Sequence, residues 1–371
     1  MMTTPNPARI GMVRCDSHAY WYAPFLAEVD PVVLSTYSDD APTRQSILAF
    51  GCEVGDYQHM AIQPVEGFAI TKVFDRVGDR SAESTDPEAL QYGSYPGRAH
   101  EFSRILRSPP QVCHTLEELL VDIDAVFIAD SSSPKDGSDH LELARPFLEN
   151  GIPCFVDKPF SQTMADAQEM VKLAQANNTS LMNASLLGHT ETGKSFRRRF
   201  EEIGEPGLLV VKGVGFHRAA VGHGIAAAHG LFGYGVESVE VMGARPQAGQ
   251  QHWNHSAADF YIEHILMHYP DGRQAMVMST CNDWYPRTSE FYCSVYSKLG
   301  AVHSPGIGNR EFLSGGTPIV NLFRQMIETG KPPIPYGQIL ELVAIIEAAC
   351  LAQETGKRTA LSEVWDRSQW E

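Results

Sequence analysis

The chain has 371 residues, 43 % apolar and 20 % charged, with a formal net charge of -16 and a pI near 5.3. That length exceeds one ordinary hydrophobic core and predicts two domains, 1–160 and 161–371. The acidic balance excludes a nucleic-acid partner, which needs clustered Lys and Arg, and points to a small-molecule one.

Residues 8–14, ARIGMVR, predict a short strand, and 18–29 a helix that tolerates Pro24. From 30 to 66 the pattern is irregular and reads as an insertion. FAITKVFDR (68–76) is a strand ending in Asp75. After one or two helices in PEALQYGSYPGRAHEFSRIL, TLEELL (115–120) is a short helix with Thr115 as cap and Glu118 three residues on. AVFIAD (125–130) is a continuous apolar run of the kind buried on both faces of a parallel sheet. The loop SSSPKDGSD precedes a helix at HLELARPFLENG, and CFV (154–156) is the next strand. TMADAQEMVKLAQANN is an amphipathic helix, and LMNASLLGH (181–189) a further strand. Strands alternating with helices predict a Rossmann-like, doubly wound parallel sheet. Ligands of such sheets gather at the carboxyl ends of the strands, and Lys158, in FVDKPFS, lies at one of them.

Beyond about 190 the texture changes. SFRRRFEEIG is a helix, GLLVVKGVGF and VESVEVMGA are strands, and FYIEHILMHYPDGRQAMVMSTC is two strands around a Pro-Asp-Gly turn. This predicts an α+β domain with a largely antiparallel open sheet, whose face suits a homo-oligomer. Helices at TPIVNLFRQMIETG and QILELVAIIEAACLAQETG close the chain and are expected to pack back on the first domain. No uninterrupted apolar run approaches the roughly 18 residues that span a bilayer, and MMTTPNPARI lacks a basic segment followed by an apolar one. The expectation is a cytoplasmic protein with no membrane partner. Seven cysteines, without C-x-x-C spacing, indicate neither a disulfide framework nor a zinc ribbon.

The succession AVFIAD, Ser/Pro loop, HLELARPFLENGIPCFVDKPFS, helix, LMNASLLGH and EEIGEPGLLVV resembles the Gfo/Idh/MocA family of glucose-fructose oxidoreductase and inositol dehydrogenase relatives. The likeness runs from about 68 through TPIVNLFRQMIETGKPPIP to the final helix. It implies a two-domain oxidoreductase that takes NAD or NADP and a sugar, polyol or related carbohydrate. It also implies that Lys158 is the lysine beside the reacting hydroxyl and His223, in VGHGIAAAHG, the family's histidine.

Two departures stand out. A dinucleotide fingerprint needs glycines after the first strand, for a tight turn and close approach to pyrophosphate. Here GMVRCDSHAYW offers Gly11, while Arg14, Asp16 and His18 stand where small residues belong, and Asp16 would repel a phosphate. Ser17, as a cap of the helix that follows, partly compensates. Asp75 is the candidate for the ribose, followed by Arg76, though 75 − 11 places it 64 positions after Gly11. The second departure is that the family's Asp, four residues before its histidine, is Ala219.

The remaining candidates carry two readings each. His18 with Asp16 is either an acid–base pair or a capped loop. Ser131, Pro134, His140 and Asp157 lie at strand ends or helix starts suited to the cofactor, with a helix-start histidine as the plainer account of His140. His189, His217 and His229 are candidates for substrate contact; spaced six and six, His217, His223 and His229 do not share one helical face, and His229 after three alanines suits helix packing. No metal is expected. His264 and His268 lie about 13 Å apart along one strand and cannot share an ion. The clusters Trp253, Asn254, His255 and Asn282, Asp283, Trp284, Tyr285 suit either a sugar or an oligomer interface. Function is thus expected to be an NAD(P)-dependent oxidoreductase acting on a carbohydrate or polyol, with a redox-neutral lyase, epimerase or hydrolase on a keto-sugar, or a non-catalytic sugar-binding paralogue, as alternatives.

Overall fold

The computed structural model describes residues 6–15, 17–30, 33, 64–75, 98–129, 139–213, 218–242, 264–279, 291–308, 311 and 314–370. The chain forms two units. Unit 1 holds Met1–Phe160, Gln168–Asn183 and Gly316–Pro333, and unit 2 holds Ser161–Ala167, Ala184–Gly315 and Ile334–Glu371. The expectation of one cut after residue 160 gives way to interleaved segments.

Unit 1 is a six-stranded sheet in the order β3-β2-β1-β4-β5-β6, from β1 (Ala8–Val13), β2 (Phe68–Phe74), β3 (Gln111–Val112), β4 (Ala125–Ile128), β5 (Cys154–Val156) and β6 (Leu181–Met182). Every pairing is parallel. β4 and β5 are buried at every residue, as strands covered on both faces must be. The helices are α1 (Ser17–Leu26), α2 (Arg98–Ile105), α3 (Leu116–Leu120), α4 (His140–Glu149) and α5 (Met164–Ala176), the last beginning in unit 2. Thr115 caps α3, its hydroxyl accepting from the Glu118 N–H at 3.2 Å, and the Glu118 carboxylate accepts from the His114 N–H at 2.8 Å. The core is aromatic. Phe127 and Phe155 stack with centroids 4.0 Å apart, Tyr22 packs against both, and Phe323 meets Phe127 edge-on at 5.3 Å.

Unit 2 is a seven-stranded sheet in the order β12-β11-β7-β10-β9-β8-β13, built from β7 (Leu208–Gly213), β8 (Ser238–Met242), β9 (His264–His268), β10 (Gln274–Ser279), β11 (Tyr292–Ser297), β12 (Gly300–His303) and β13 (Thr359–Ala360). It is mixed: β7 and β10 run parallel and the other pairs antiparallel. The Pro-Asp-Gly turn joins β9 to β10, with Gly272 at φ 86°. Unit 2 also contains α6 (Glu191–Arg198), α7 (Arg218–Phe232) and α9 (Tyr336–Thr355); α8 (Gly316–Thr329) belongs to unit 1. α9 is long and apolar enough by composition to cross a membrane. Its apolar side chains, among them Leu340, Val343 and Ile346, are buried in the unit 2 core.

One segment departs from expectation: the strand expected at 181–189 ends at Met182 and gives way to a 3-10 turn, Leu186–His189. VGHGIAAAHG lies within α7. There the missing side chains permit close packing: a Cβ on Gly224 would meet Val277 Cγ1 at 2.5 Å, and one on Gly230 would meet the Gly188 carbonyl oxygen at 2.7 Å.

Candidate active site

In unit 1 the polar groups gather at the carboxyl ends of the strands. β1 exits through Arg14 in the left-handed region, φ 69°, the conformation for which a fingerprint employs glycine. The Arg14 side chain is buried, with Nη2 2.5 Å from Asp139 Oδ2 and Nη1 3.8 Å from Asp75 Oδ1. Asp75, at the end of β2, accepts the Cys15 N–H on Oδ2 at 3.2 Å. The Arg14 conformation and its two carboxylates have no signature in the sequence.

At the end of β5, Asp157 is 1 % exposed and binds His18 Nδ1 through Oδ2. Tyr22, one turn further along α1, faces the same carboxylate; burial first, and the Asp157 charge second, push its phenol well above the ordinary range. The Asn183 amide donates to the Val156 carbonyl at 2.8 Å and the Asp157 carbonyl at 3.1 Å. Lys158 follows, half-buried, with a cis peptide to Pro159. His140 is fully buried with Nδ1 3.2 Å from the Phe160 carbonyl oxygen. His18, Asp157 and His140 thus surround the backbone that presents Lys158; among the described residues His18 pairs with Asp157, while Asp16, the partner expected from sequence, lies outside them.

Gly11 requires a correction. It lies in the middle of β1, where a Cβ would meet Leu119 Cδ2 at 2.5 Å, so its bareness serves packing against α3 rather than a phosphate. Gly11→Ala is expected to cost about 1–3 kcal/mol of stability by overpacking. Dinucleotide affinity, measured by titration beside chemical unfolding, should be unchanged. Ser17 opens α1, with its side chain outside the described residues, as are Asp16, Arg76, Ser131, Pro134, His217 and both Trp-containing clusters.

In unit 2, His223 lies on α7 with Nδ1 2.8 Å from Ser185 Oγ and its ring edge-on to Phe291. His189 ends the 3-10 turn; burial, aided by the Lys194 charge, lowers it to about 4, so it is neutral at physiological pH. His229 is built into the core instead of facing a ligand, with Nε2 3.2 Å from Glu341 Oε1 and its ring 4.2 Å from that of Tyr234. His268 pairs with Glu240 at 2.9 Å. Among the described residues no three His, Cys, Asp or Glu are grouped to hold a metal ion.

A parallel sheet in the order 3-2-1-4-5-6, with charged groups at its carboxyl ends, defines the Rossmann class of nucleotide-binding proteins. Within it, residues 48–185 match the model of the Gfo/Idh/MocA family, described as an oxidoreductase family with an NAD-binding Rossmann fold. Over 140 residues it is 26 % identical to the scyllo-inositol 2-dehydrogenase (NADP(+)) of Bacillus subtilis, covering 38 % of this chain and 36 % of that relative. Among solved structures, a probable dehydrogenase from Thermotoga maritima matches with TM-score 0.66 and 15 % identity over 96 % of this chain and all of its own. The myo-inositol dehydrogenase of Lactobacillus casei, in complex with NAD(H) and myo-inositol, matches with TM-score 0.61 and 15 % identity over 95 % and 96 % of the two chains. At these identities the structural likeness establishes the fold.

The unit 1 residues fit a dinucleotide. Among the described residues, Asp75 Oδ1 and Asp157 Oδ1 are buried acceptors without a hydrogen-bond partner, one at the end of β2 and one at the end of β5. A buried carboxylate oxygen calls for a donor, and ribose hydroxyls are such donors.

Proposed function

We propose that the chain is an NAD(P)-dependent oxidoreductase that oxidises a secondary hydroxyl of a polyol or related carbohydrate, with Lys158 accepting the hydroxyl proton. The observation that carries this is the placement of Lys158 at the carboxyl end of β5, its backbone bracketed by the buried Asp157–His18 pair and by His140. When bound, the nicotinamide would accept a hydride from the carbinol carbon. Asp75 and Asp157 would hold ribose hydroxyls, while the amino end of α1 would offer positive charge to the pyrophosphate. Lys158 would supply the base that alcohol oxidation requires; His223, a catalytic residue by the family resemblance, lies in unit 2. The inositol dehydrogenases named above support the substrate class.

The same reading makes the chain a cytoplasmic homo-oligomer. Its unit 2 sheet exposes Tyr292, Tyr296 and Met242, apolar area that a second copy would cover.

The test is to titrate the pure protein with NAD+ and NADP+, then add myo-inositol or scyllo-inositol and follow reduced nicotinamide. Cofactor binding with turnover of either polyol supports the reading. Solvent deuterium entering a keto-sugar with no cofactor present would instead establish the redox-neutral alternative.

A further inference from the structure

Arg14 stands in a conformation that suits glycine, φ 69°, and an arginine persists there only where the surrounding structure holds it. Two carboxylates do so: Asp139 Oδ2 lies 2.5 Å from Nη2, and Asp75 Oδ1 lies 3.8 Å from Nη1. The two contacts differ in kind. The first is a hydrogen bond, whereas the second is an ion pair too long to be one.

That difference decides what Asp75 can do. Its other oxygen, Oδ2, accepts the Cys15 N–H at 3.2 Å, and the residue is buried at the end of β2. A carboxylate removed from water needs a counter-charge, and Arg14 supplies one from 3.8 Å without occupying a lone pair. Among the described residues Oδ1 has no hydrogen-bond partner. Asp75 is therefore compensated in charge and still open as an acceptor. Arg14 reaches it twice, through the guanidinium and through the N–H of the residue that follows.

In the Rossmann class an acidic side chain of this kind accepts from a hydroxyl of the adenosine ribose, and a nearby arginine can instead accommodate a 2′-phosphate. Here the Arg14 guanidinium is committed to Asp139 and Asp75. A 2′-phosphate would bring more negative charge to one cation already shared by two carboxylates, and it has no proton to give Oδ1. Such a site rejects the phosphorylated ribose by leaving charge unpaired.

We propose that Arg14 is the positioning residue for Asp75, and that through this pair the chain selects NAD+ over NADP+. The selection deepens the dehydrogenase reading above and rests on it.

The experiment measures the dissociation constants of NAD+ and NADP+ by calorimetric titration for wild type, Arg14→Gly and Arg14→Lys, with thermal unfolding as the fold control. Wild type is expected to bind NAD+ about 100-fold or more tightly than NADP+, as a site built to bond a hydroxyl does. Glycine keeps the left-handed turn, and with it the Cys15 N–H, while removing the counter-charge that holds Asp75. NAD+ affinity should then fall about 10- to 100-fold, the worth of a hydrogen bond to a charged acceptor, and NADP+ affinity, which owes nothing to Asp75, should change little. Arg14→Lys keeps the charge but loses the fork that spans two carboxylates, so its NAD+/NADP+ ratio should lie between the other two; it decides the matter if the glycine variant does not fold. An unchanged ratio in the folded variant, equal losses for both dinucleotides, or a wild type that takes NADP+ as tightly as NAD+ would each overturn the proposal and leave the dehydrogenase reading standing. Binding of neither dinucleotide by wild type would remove that reading and the proposal with it.

Discussion

Lys158→Ala is expected to lower kcat/KM for polyol oxidation by about 10²- to 10⁴-fold, the usual worth of a positioned general base, with unchanged thermal unfolding. The two halves of that expectation come from different parts of the structure. Lys158 is only half-buried, so removing its side chain leaves no large cavity. The segment around it is held by other groups: the Asn183 amide on the Val156 and Asp157 carbonyls, and His140 Nδ1 by the Phe160 carbonyl. Lys158→Arg should not rescue activity, because a guanidinium stays protonated and cannot accept the hydroxyl proton. Steady-state kinetics beside calorimetry check both halves. An alanine variant within a few-fold of wild type would remove Lys158 from the chemistry.

Glu341→Gln is expected to cost unit 2 about 3–5 kcal/mol, the range for breaking a buried ion pair from one side. For a domain of this size that is a fall in Tm on the order of 6–20 °C. Glu341 is 2 % exposed on α9. Its carboxylate accepts the Gly235 N–H at 2.8 Å, the Val236 N–H at 3.1 Å and Arg367 Nη2 at 2.6 Å, with His229 Nε2 at 3.2 Å. Burial alone would raise this carboxyl. The His229 hydrogen bond and charge, the Val236 N–H and Arg367 together outweigh burial and hold it below the usual range. Glutamine keeps the shape and loses the charge, turning an amide N–H₂ toward groups that are themselves donors. Because the folded value is lowered, the contribution is fully present above the unfolded value of about 4.3 and is lost as pH falls through the folded one. The gap between wild type and variant should therefore be widest near neutrality and narrow in acid. Thermal unfolding at a series of pH values measures it, and a difference below about 1 kcal/mol at pH 7 would show that the cluster stabilises little.

What the sequence discloses here follows what each signal depends on. The strands AVFI and CFV, and the caps and apolar faces of the helices, are local consequences of burial and period, and they stand where periodicity puts them. The position of Lys158 is legible because it lies two residues beyond such a strand. Arg14 is not: a left-handed φ is imposed on an arginine by tertiary context, and its guanidinium finds Asp139 some 125 positions away. Ser185 and His223, 38 positions apart, meet only because Gly188 and Gly230 allow the backbones together, and in sequence those glycines resemble helix breakers. The same ambiguity attends Gly11, which reads as half of a phosphate loop and acts as a packing residue. His229 had both readings in view; its buried carboxylate partner, more than a hundred residues on, decides for packing.

The interleaving of the two units sets a rule for dividing this chain in the laboratory. The backbone changes unit after residues 160, 167, 183, 315 and 333. A nucleotide-binding fragment ending at 160 would lack β6 and α8, and with α8 the Phe323 ring that closes on Phe127 and Phe155. Expressed alone, it would present an uncovered aromatic surface to solvent and to its own copies. A soluble, self-standing version requires 168–183 and 316–333 spliced back by linkers. A chimaera that exchanges unit 2 between relatives would likewise need five junctions in place of one.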